Sequence, residues 1–221
     1  LTLPWPPPEL REFARKLIQT NNAPKSVLRL TLTRGSGARG YSPRNAVCPT
    51  VALTLHPFPP RPLSVRLATA SMRVGVGSLL AGFKTCNRLV QVLARAEAEQ
   101  RGADEALLLD ANGHIVEAAA SNLFWLADGA VCTSPLESGA LAGVTRALVL
   151  EYCQARGIPT KERWIQSGEL FRADGAFLTN SVTGIVAAIE LDGRPLRSSP
   201  FVGELQAGYE ELVKAEGLRG D

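Results

Sequence analysis

The chain has 221 residues, with 24 lysines and arginines against 21 aspartates and glutamates, for a net charge of +3. Because the basic residues are scattered, with no run that interleaves them with aromatic residues, we predict that the protein does not bind nucleic acid. No apolar stretch reaches the length of a membrane span, and no charged-then-apolar leader opens the chain. The length and the 45% hydrophobic content suit one large globular domain or two small ones.

The cysteines and histidines argue against a disulfide framework and against a metal site. The four cysteines lie far apart, at positions 48, 86, 132 and 153, so we expect reduced thiols in a cytoplasmic protein. His56 and His114 show no metal-ligand spacing. The first residue is Leu1 and not methionine, so we expect the chain to be a fragment or a processed product.

The N-terminal part of the chain predicts a helix, two strands and a stiff linker. Apolar residues recur at helical spacing between positions 9 and 20, whereas Leu28, Leu30 and Leu32 alternate with polar residues, as in a half-buried strand. The predicted elements are a helix at 9–20, strands at 27–33 and 50–56, and a proline-rich linker at 57–62. We therefore divide the chain into a small domain at 1–61 and a larger domain at 62–221.

The rest of the chain mixes strands and helices without strict alternation, which favours an α+β fold with an antiparallel sheet. The strongest signals are the Asn-Gly and Asp-Gly pairs at 112–113, 128–129 and 192–193, which are typical of hairpin turns. We expect the first two hairpins to form a meander. The predicted strands are 64–71, 106–110, 115–118, 123–126, 130–133, 176–179, 185–191 and 194–196, and the helices are 87–101, 143–157, 168–172 and 205–214.

Lys84 differs in its surroundings from the other four lysines of the chain, which lie in polar or charged stretches. It follows an apolar, glycine-containing run and precedes the helix at 87–101. Loss of hydration there would lower the pKa of its amine, and a neutral amine can form a Schiff base with a carbonyl. The alternative is a lysine at a helix start whose ammonium reaches water.

Glu117 has apolar or small neighbours on both sides, so we expect its carboxylate to be buried. A buried carboxylate needs a partner. The partner is either an arginine or the protonated ring nitrogen of a cofactor such as pyridoxal phosphate, which suits a lysine that forms a Schiff base.

Three further segments could bind an anion. Two glycines at 139 and 143 lead into a helix at Val144 and Thr145, and free N–H groups at a helix start attract anions. The polar turn at 179–184 could supply more donors. The loop at 34–41 carries Arg34, Arg39 and Tyr41, which fits contact with a carboxylate, or equally a solvated loop.

Four stretches in fixed order carry a family resemblance: KTCNRL at 84–89, GADEALLLDANGHIVEAAASNLFWLADGAVCTSP at 102–135, LAGVTR at 141–146 and ADGAFLTNS at 173–181. Together they resemble the fold-type IV pyridoxal-phosphate enzymes, or class IV aminotransferase family, over about residues 25–195. That group includes branched-chain and D-amino-acid aminotransferases and 4-amino-4-deoxychorismate lyase. The Asn-Arg-Leu sequence after Lys84 and the arginine loop at 33–41 are most similar to the lyase.

The resemblance implies a small α/β domain, a larger pseudo-barrel domain, and a homodimer with the cofactor site between domains. It also implies a role for each matching residue. Lys84 would form the Schiff base and shuttle protons, and Glu117 would pair with the pyridine nitrogen. Arg88 would lie near the cofactor ring. Val144, Thr145 and Ser181 would bind the phosphate. Arg34, Arg39 and Tyr41 are the candidates for contact with the substrate carboxylate.

The resemblance further implies a lyase of folate biosynthesis that converts 4-amino-4-deoxychorismate to 4-aminobenzoate and pyruvate. The alternative is an aminotransferase acting on branched-chain or D-amino acids, and a further alternative is a non-catalytic protein that kept the fold. Two features depart from the family. The family's N-terminal stretch, with a phosphate-binding arginine, precedes Leu1, so we expect this chain to be an incomplete form. Gly175 stands where the family usually has glutamate.

Overall fold

The computed structural model describes residues 3–77 and 80–217, and the chain divides into two compact units, residues 1–60 and 61–221. Their roles as an N-terminal remainder and a cofactor-binding domain stay predictions. Within the described residues, no helix combines the length and the apolar character that a membrane crossing requires.

The first unit contains one helix and one hairpin. Its elements are α1 (Pro7–Thr20), β1 (Ser26–Thr33) and β2 (Thr50–Pro57), with β1 and β2 antiparallel. Leu10 and Ala14 of α1 are buried, whereas Leu28 and Leu30 are 40% and 45% exposed. The prediction of a half-buried strand is therefore wrong for Leu28 and Leu30, because a two-stranded sheet cannot cover its own faces.

The second unit is built on a nine-stranded sheet with three helices. The strands are β3 (Ser64–Val74), β4 (Glu105–Asp110), β5 (Ile115–Ala118), β6 (Asn122–Ala127), β7 (Ala130–Thr133), β8 (Thr160–Glu162), β9 (Gly175–Asn180), β10 (Gly184–Leu191) and β11 (Arg194–Pro195). The helices are α2 (Leu89–Gln100), α3 (Val144–Ala155) and α4 (Pro200–Gly217). Short 3₁₀ turns at Leu136–Ser138 and Ser167–Arg172 complete the unit.

The three predicted hairpins form, but the sheet is mixed, and the first two hairpins do not form the predicted meander. Its order is β5-β4-β3-β10-β9-β6-β7-β8, with β11 beside β10. The strands β3, β10 and β9 therefore separate the first two hairpins. The pairs β3–β4, β3–β10 and β7–β8 are parallel. Parallel neighbours need a crossover connection, and α2 provides it between β3 and β4.

Residues of the central strands alternate between two buried faces. On one face Phe124 of β6 and Phe177 of β9 stack with ring centroids 5.0 Å apart, against Val149 of α3 and Leu205 of α4. The opposite face, which includes Trp125, forms a separate cluster. The face beneath α3 matters for function, since the candidate site lies at the N-terminal end of that helix.

The larger apolar residues of α2 face solvent. Leu89, Val92 and Leu93 are 62%, 60% and 49% exposed, whereas Ala94 and Ala98 are buried. The alanines pack against the small residues of β3 and β4 in one cluster. Small side chains let the helix backbone approach the sheet closely, so the face with the larger residues is left outside.

Replacing Phe177 with alanine should lower the free energy of unfolding by about 3–5 kcal/mol, because the change leaves a cavity beneath α3 and α4. Urea unfolding followed by circular dichroism measures this loss. Phe58 is 54% exposed, so Phe58→Ala is the matched control, with an expected change within about 0.5 kcal/mol. Equal effects of the two variants would contradict the described packing.

Candidate active site

Lys84 lies in an exposed loop between β3 and α2. The expectation of a dehydrated lysine is therefore wrong for this chain. The described residues on its N-terminal side form turns and no packed element, and Phe83 is itself 65% exposed. The amine of Lys84 is accordingly open to a ligand that arrives from solvent.

Arg88 fixes the backbone on both sides of Lys84. Its Nε donates to the carbonyl oxygen of Thr85 at 3.1 Å, and its Nη2 donates to that of Phe83 at 3.2 Å. Arg88 also occupies the position just before α2, so the guanidinium ties the lysine loop to the start of that helix.

Glu117 on β5 is buried, with 9% of its surface exposed. Its Oε2 accepts hydrogen bonds from the backbone N–H of Leu141 at 2.9 Å and from Nδ2 of Asn122 at 3.2 Å. Burial raises the pKa of this carboxyl, while the Leu141 N–H and the positive charges of Arg88 and Lys84 oppose the rise. The charges of Arg88 and Lys84 therefore act on the carboxyl of Glu117.

The partner of Glu117 is not an arginine in ion-pair contact, as far as the described residues show. Two neutral donors occupy Oε2, so the carboxylate has acceptor capacity left at Oε1. A cationic ring N–H is one group that could use that capacity.

Asn122 joins the carboxylate to the start of α3, and sequence reasoning missed it. Its Nδ2 also donates to the carbonyl oxygen of Leu141 at 2.8 Å. Its Oδ1 lies against Gly143, where an added Cβ would come within 2.2 Å of that oxygen. The available signal was a polar residue at the start of the apolar strand β6, since a buried amide needs hydrogen-bond partners.

The first turn of α3 presents free backbone donors. Gly143 precedes the helix without a side-chain cap, Val144 is 69% exposed and Thr145 is buried. Arg146 holds this turn in place, because its Nη2 lies 2.8 Å from Oε2 of Glu162 and 3.2 Å from the carbonyl oxygen of Ser134. N–H groups at such a helix start bind anions.

Ser181 lies at the exposed tip of the turn between β9 and β10. The side chain of Asn180 shapes this turn, since its Oδ1 accepts from the N–H groups of Val182 and Thr183 at 2.9 and 2.8 Å. Its Nδ2 donates to Oγ of Ser121 at 3.0 Å. The turn is therefore a defined structure that positions a hydroxyl.

Arg34, Arg39 and Tyr41 lie in an exposed loop of the first unit. The backbone of this loop folds tightly at Gly35, where φ is 92° and an added Cβ would come 1.8 Å from the carbonyl oxygen of Cys48. Glycine is required at that position. Substrate contact by the three side chains stays a prediction.

The residues present fit a phosphorylated pyridine aldehyde. An accessible amine at Lys84 suits the aldehyde, a buried carboxylate at Glu117 suits the ring nitrogen, and the uncapped start of α3 suits the phosphate. Thr179 Oγ1 is also buried without a hydrogen-bond partner, which leaves a donor for a ligand. This donor set matches pyridoxal phosphate, the cofactor that the family resemblance implies.

Replacing Glu117 with glutamine should make the stability of the cofactor-free protein less dependent on pH. Because burial raises the folded-state pKa, the folded protein keeps a proton that the unfolded chain has released above the ordinary glutamate value of 4.5. The free energy of unfolding therefore falls as pH rises through that window. Glu117→Gln removes this fall, because a glutamine side chain does not titrate.

Urea unfolding at a series of pH values between about 4 and 8 measures the effect, with the exposed Glu204→Gln as the control. The control should keep the pH dependence of the unmodified protein. A Glu117→Gln variant that loses stability at neutral pH would mean that the charged carboxylate is itself stabilising.

A family model for amino-transferase class IV matches residues 1–191 of the chain. The aminodeoxychorismate lyase of Vibrio harveyi is 36% identical over 163 residues, which cover 72% of this chain and 60% of that protein. The crystal structure of 4-amino-4-deoxychorismate lyase from Pseudomonas aeruginosa matches with a TM-score of 0.84 and 35% identity, over 94% of this chain and 78% of that one. The branched-chain aminotransferase of Thermoproteus uzoniensis matches with a TM-score of 0.85 and 30% identity, over 96% of this chain and 73% of that one.

The chain therefore spans between 60% and 78% of the length of these three relatives. Their structural likeness confirms the predicted fold class, an α+β fold of the fold-type IV enzymes. From the family match, the chain belongs to the class IV aminotransferase family, whose enzymes, aminodeoxychorismate lyases included, depend on pyridoxal phosphate.

Proposed function

We propose that the protein is a lyase that converts 4-amino-4-deoxychorismate to 4-aminobenzoate and pyruvate in folate biosynthesis. The observation that carries the proposal is the buried carboxylate of Glu117, which Asn122 and the N–H of Leu141 connect to the segment before α3. The charges of Lys84 and Arg88 act on the same carboxyl. An amine, a buried carboxylate and an anion site together define a place for a cofactor and a reacting amine.

Different residues of the chain would hold different parts of the cofactor. Glu117 would hold a proton on the pyridine nitrogen, and the N–H groups of Val144 and Thr145, with Ser181, would bind the phosphate. When bound, pyridoxal phosphate supplies an electron sink for the electron pair that C–H cleavage releases. Arg88 would keep the Lys84 loop in place through its bonds to Phe83 and Thr85.

Lys84 would act as general base and then as general acid. Its Nζ would take the proton from the ring carbon next to the substrate nitrogen. Breakage of the bond between the ring and the enolpyruvyl oxygen then makes the ring aromatic, and protonation of the leaving enolpyruvate gives pyruvate. Water access to Lys84 suits this exchange of protons, since the side chain is exposed.

The second candidate is an aminotransferase acting on branched-chain or D-amino acids, which would use the same cofactor residues. The lyase is favoured by the Asn-Arg-Leu sequence that follows Lys84 and by the arginine loop with Arg34, Arg39 and Tyr41, our candidates for the substrate carboxylate. Release of pyruvate without an added amino acceptor would support the lyase. Amino transfer to an added oxo acid, without pyruvate release, would overturn it.

Replacing Lys84 with alanine should abolish turnover of 4-amino-4-deoxychorismate, by at least about 10³-fold, since the base and the attachment point are lost together. A coupled assay with lactate dehydrogenase follows the pyruvate. Lys161, an exposed lysine on β8, gives the matched control Lys161→Ala, which should keep full activity. Retained turnover in Lys84→Ala would remove the assigned role.

We also propose that the protein is a cytoplasmic homodimer, with the exposed face of α2 in the interface. This face consists of Leu89, Val92 and Leu93, and Phe83 in the preceding loop is also exposed. Contiguous apolar surface of this kind is characteristic of protein–protein contacts. A second copy is the occupant we commit to, because the family resemblance implies a homodimer.

Val92→Asp should convert the dimer to monomer, because a carboxylate in an apolar interface is left without a partner. Size-exclusion chromatography with light scattering reports the mass, against 23.6 kDa for one chain. Val213→Asp on α4, at a site that is 43% exposed, is the control and should leave the mass unchanged. A monomeric unmodified protein would contradict the interface.

A further inference from the structure

Thr179 on β9 holds a hydroxyl that the fold leaves unused. The residue is 1% exposed, and its Oγ1 is one of two buried side-chain atoms without a hydrogen-bond partner among the described residues. The other is Nε of Arg146, whose guanidinium is already held by Glu162 and Ser134. A buried hydroxyl without a hydrogen-bond partner destabilises the folded protein. We therefore look for a bound group that could form a hydrogen bond with it.

The register of the sheet places this hydroxyl beneath the start of α3. Thr179 pairs with Asn122 on β6 and with Ile185 on β10. Paired residues on antiparallel strands point to the same face. Asn122 reaches Gly143 on that face, and Ile185 belongs to the cluster that packs against α3. The Thr179 side chain therefore points to the face that carries the anion site.

The neighbours of Thr179 do not compete for its hydroxyl. Asn122 already bonds Glu117 and Leu141, and Asn180 already bonds Ser121 and its own turn. No protein group among those described forms a hydrogen bond with the Thr179 hydroxyl. A ligand atom at the start of α3 that accepts a hydrogen bond could be its partner.

We propose that Thr179 is a further cofactor-binding residue, whose hydroxyl donates to a phosphate oxygen of pyridoxal phosphate at the N-terminal end of α3. The inference rests on the proposed function, since it assumes the same cofactor. It adds a donor from within the sheet to those of the helix start and of the Ser181 turn. The phosphate would then meet donors from two directions, and Thr179 would be satisfied only in the loaded protein.

The test compares Thr179→Val, which keeps the shape and removes the hydroxyl, with Thr179→Ser, which keeps the hydroxyl. Two dissociation constants are measured by absorbance titration, one for pyridoxal phosphate and one for pyridoxal, which lacks the phosphate. Thr179→Val should weaken binding of pyridoxal phosphate about 10- to 100-fold, as expected for a hydrogen bond to a charged group, and leave pyridoxal unchanged. Thr179→Ser should stay within about threefold of the unmodified protein for both probes.

Thermal unfolding of the cofactor-free protein gives a second readout that does not depend on activity. Thr133 is a buried threonine whose Oγ1 does have a partner, the carbonyl oxygen of Leu123 at 2.8 Å. Thr133→Val should lower the midpoint by about 2–4 °C, whereas Thr179→Val should leave it unchanged or raise it.

The outcomes separate the inference from the proposed function. If the unmodified protein binds pyridoxal phosphate and Thr179→Val binds it equally well, the inference is wrong and the proposed function stands. If Thr179→Val weakens the binding of both probes equally, the hydroxyl does not contact the phosphate. If Thr179→Val lowers the unfolding midpoint as Thr133→Val does, the hydroxyl has a partner inside the protein. Either result overturns the inference. Failure of both the unmodified protein and a version extended at its N-terminus to bind pyridoxal phosphate would overturn both proposals.

Discussion

The buried carboxylate of Glu117 is the constraint on which the rest of the candidate site depends. A carboxylate in an apolar surrounding requires donors, and the fold supplies two of them to one oxygen, from Leu141 and Asn122. Those bonds fix the segment before α3, because Leu141 donates its N–H to Glu117 and accepts from Asn122 at its carbonyl oxygen. The side chain of Asn122 also lies against Gly143, where only glycine leaves room for it. The hydrogen bonds that the buried Glu117 carboxylate requires therefore help to position the start of α3. The charges of Lys84 and Arg88 then act on the same group.

Local patterns in the sequence predicted the helices and strands. They did not predict the order of the strands in the sheet, which depends on pairing between distant segments. The three hairpins formed because each turn and its strands are neighbours in the chain. The meander did not form, because β3 takes parallel partners that no local pattern reveals. For α2, spacing identified the helix but not the inner face, since the alanines and not the leucines met the sheet. Lys84 was recognised by its neighbours in the sequence, yet its exposure depends on how the preceding run folds.

Some features of the candidate site also follow from local patterns, and others do not. The burial of Glu117 and the helix start at Val144 and Thr145 were predictable, because apolar neighbours and entry glycines are features of short stretches. Asn122 and Thr179 could not be predicted to act together, since only the register of β6 and β9 makes them neighbours. The choice between lyase and aminotransferase rests on Arg88 and on the arginine loop of the first unit, because the cofactor residues are shared by both activities.

The most direct measurement of the central claim is trapping of the cofactor on its lysine. The protein is mixed with pyridoxal phosphate, its visible absorbance is recorded, the sample is reduced with borohydride, and the digested peptides are mapped by mass spectrometry. The account predicts a reduced adduct on Lys84 and on none of the lysines at positions 16, 25, 161 and 214. Absence of the adduct on this chain and on a version extended at its N-terminus, or an adduct spread over all five lysines, would contradict the account.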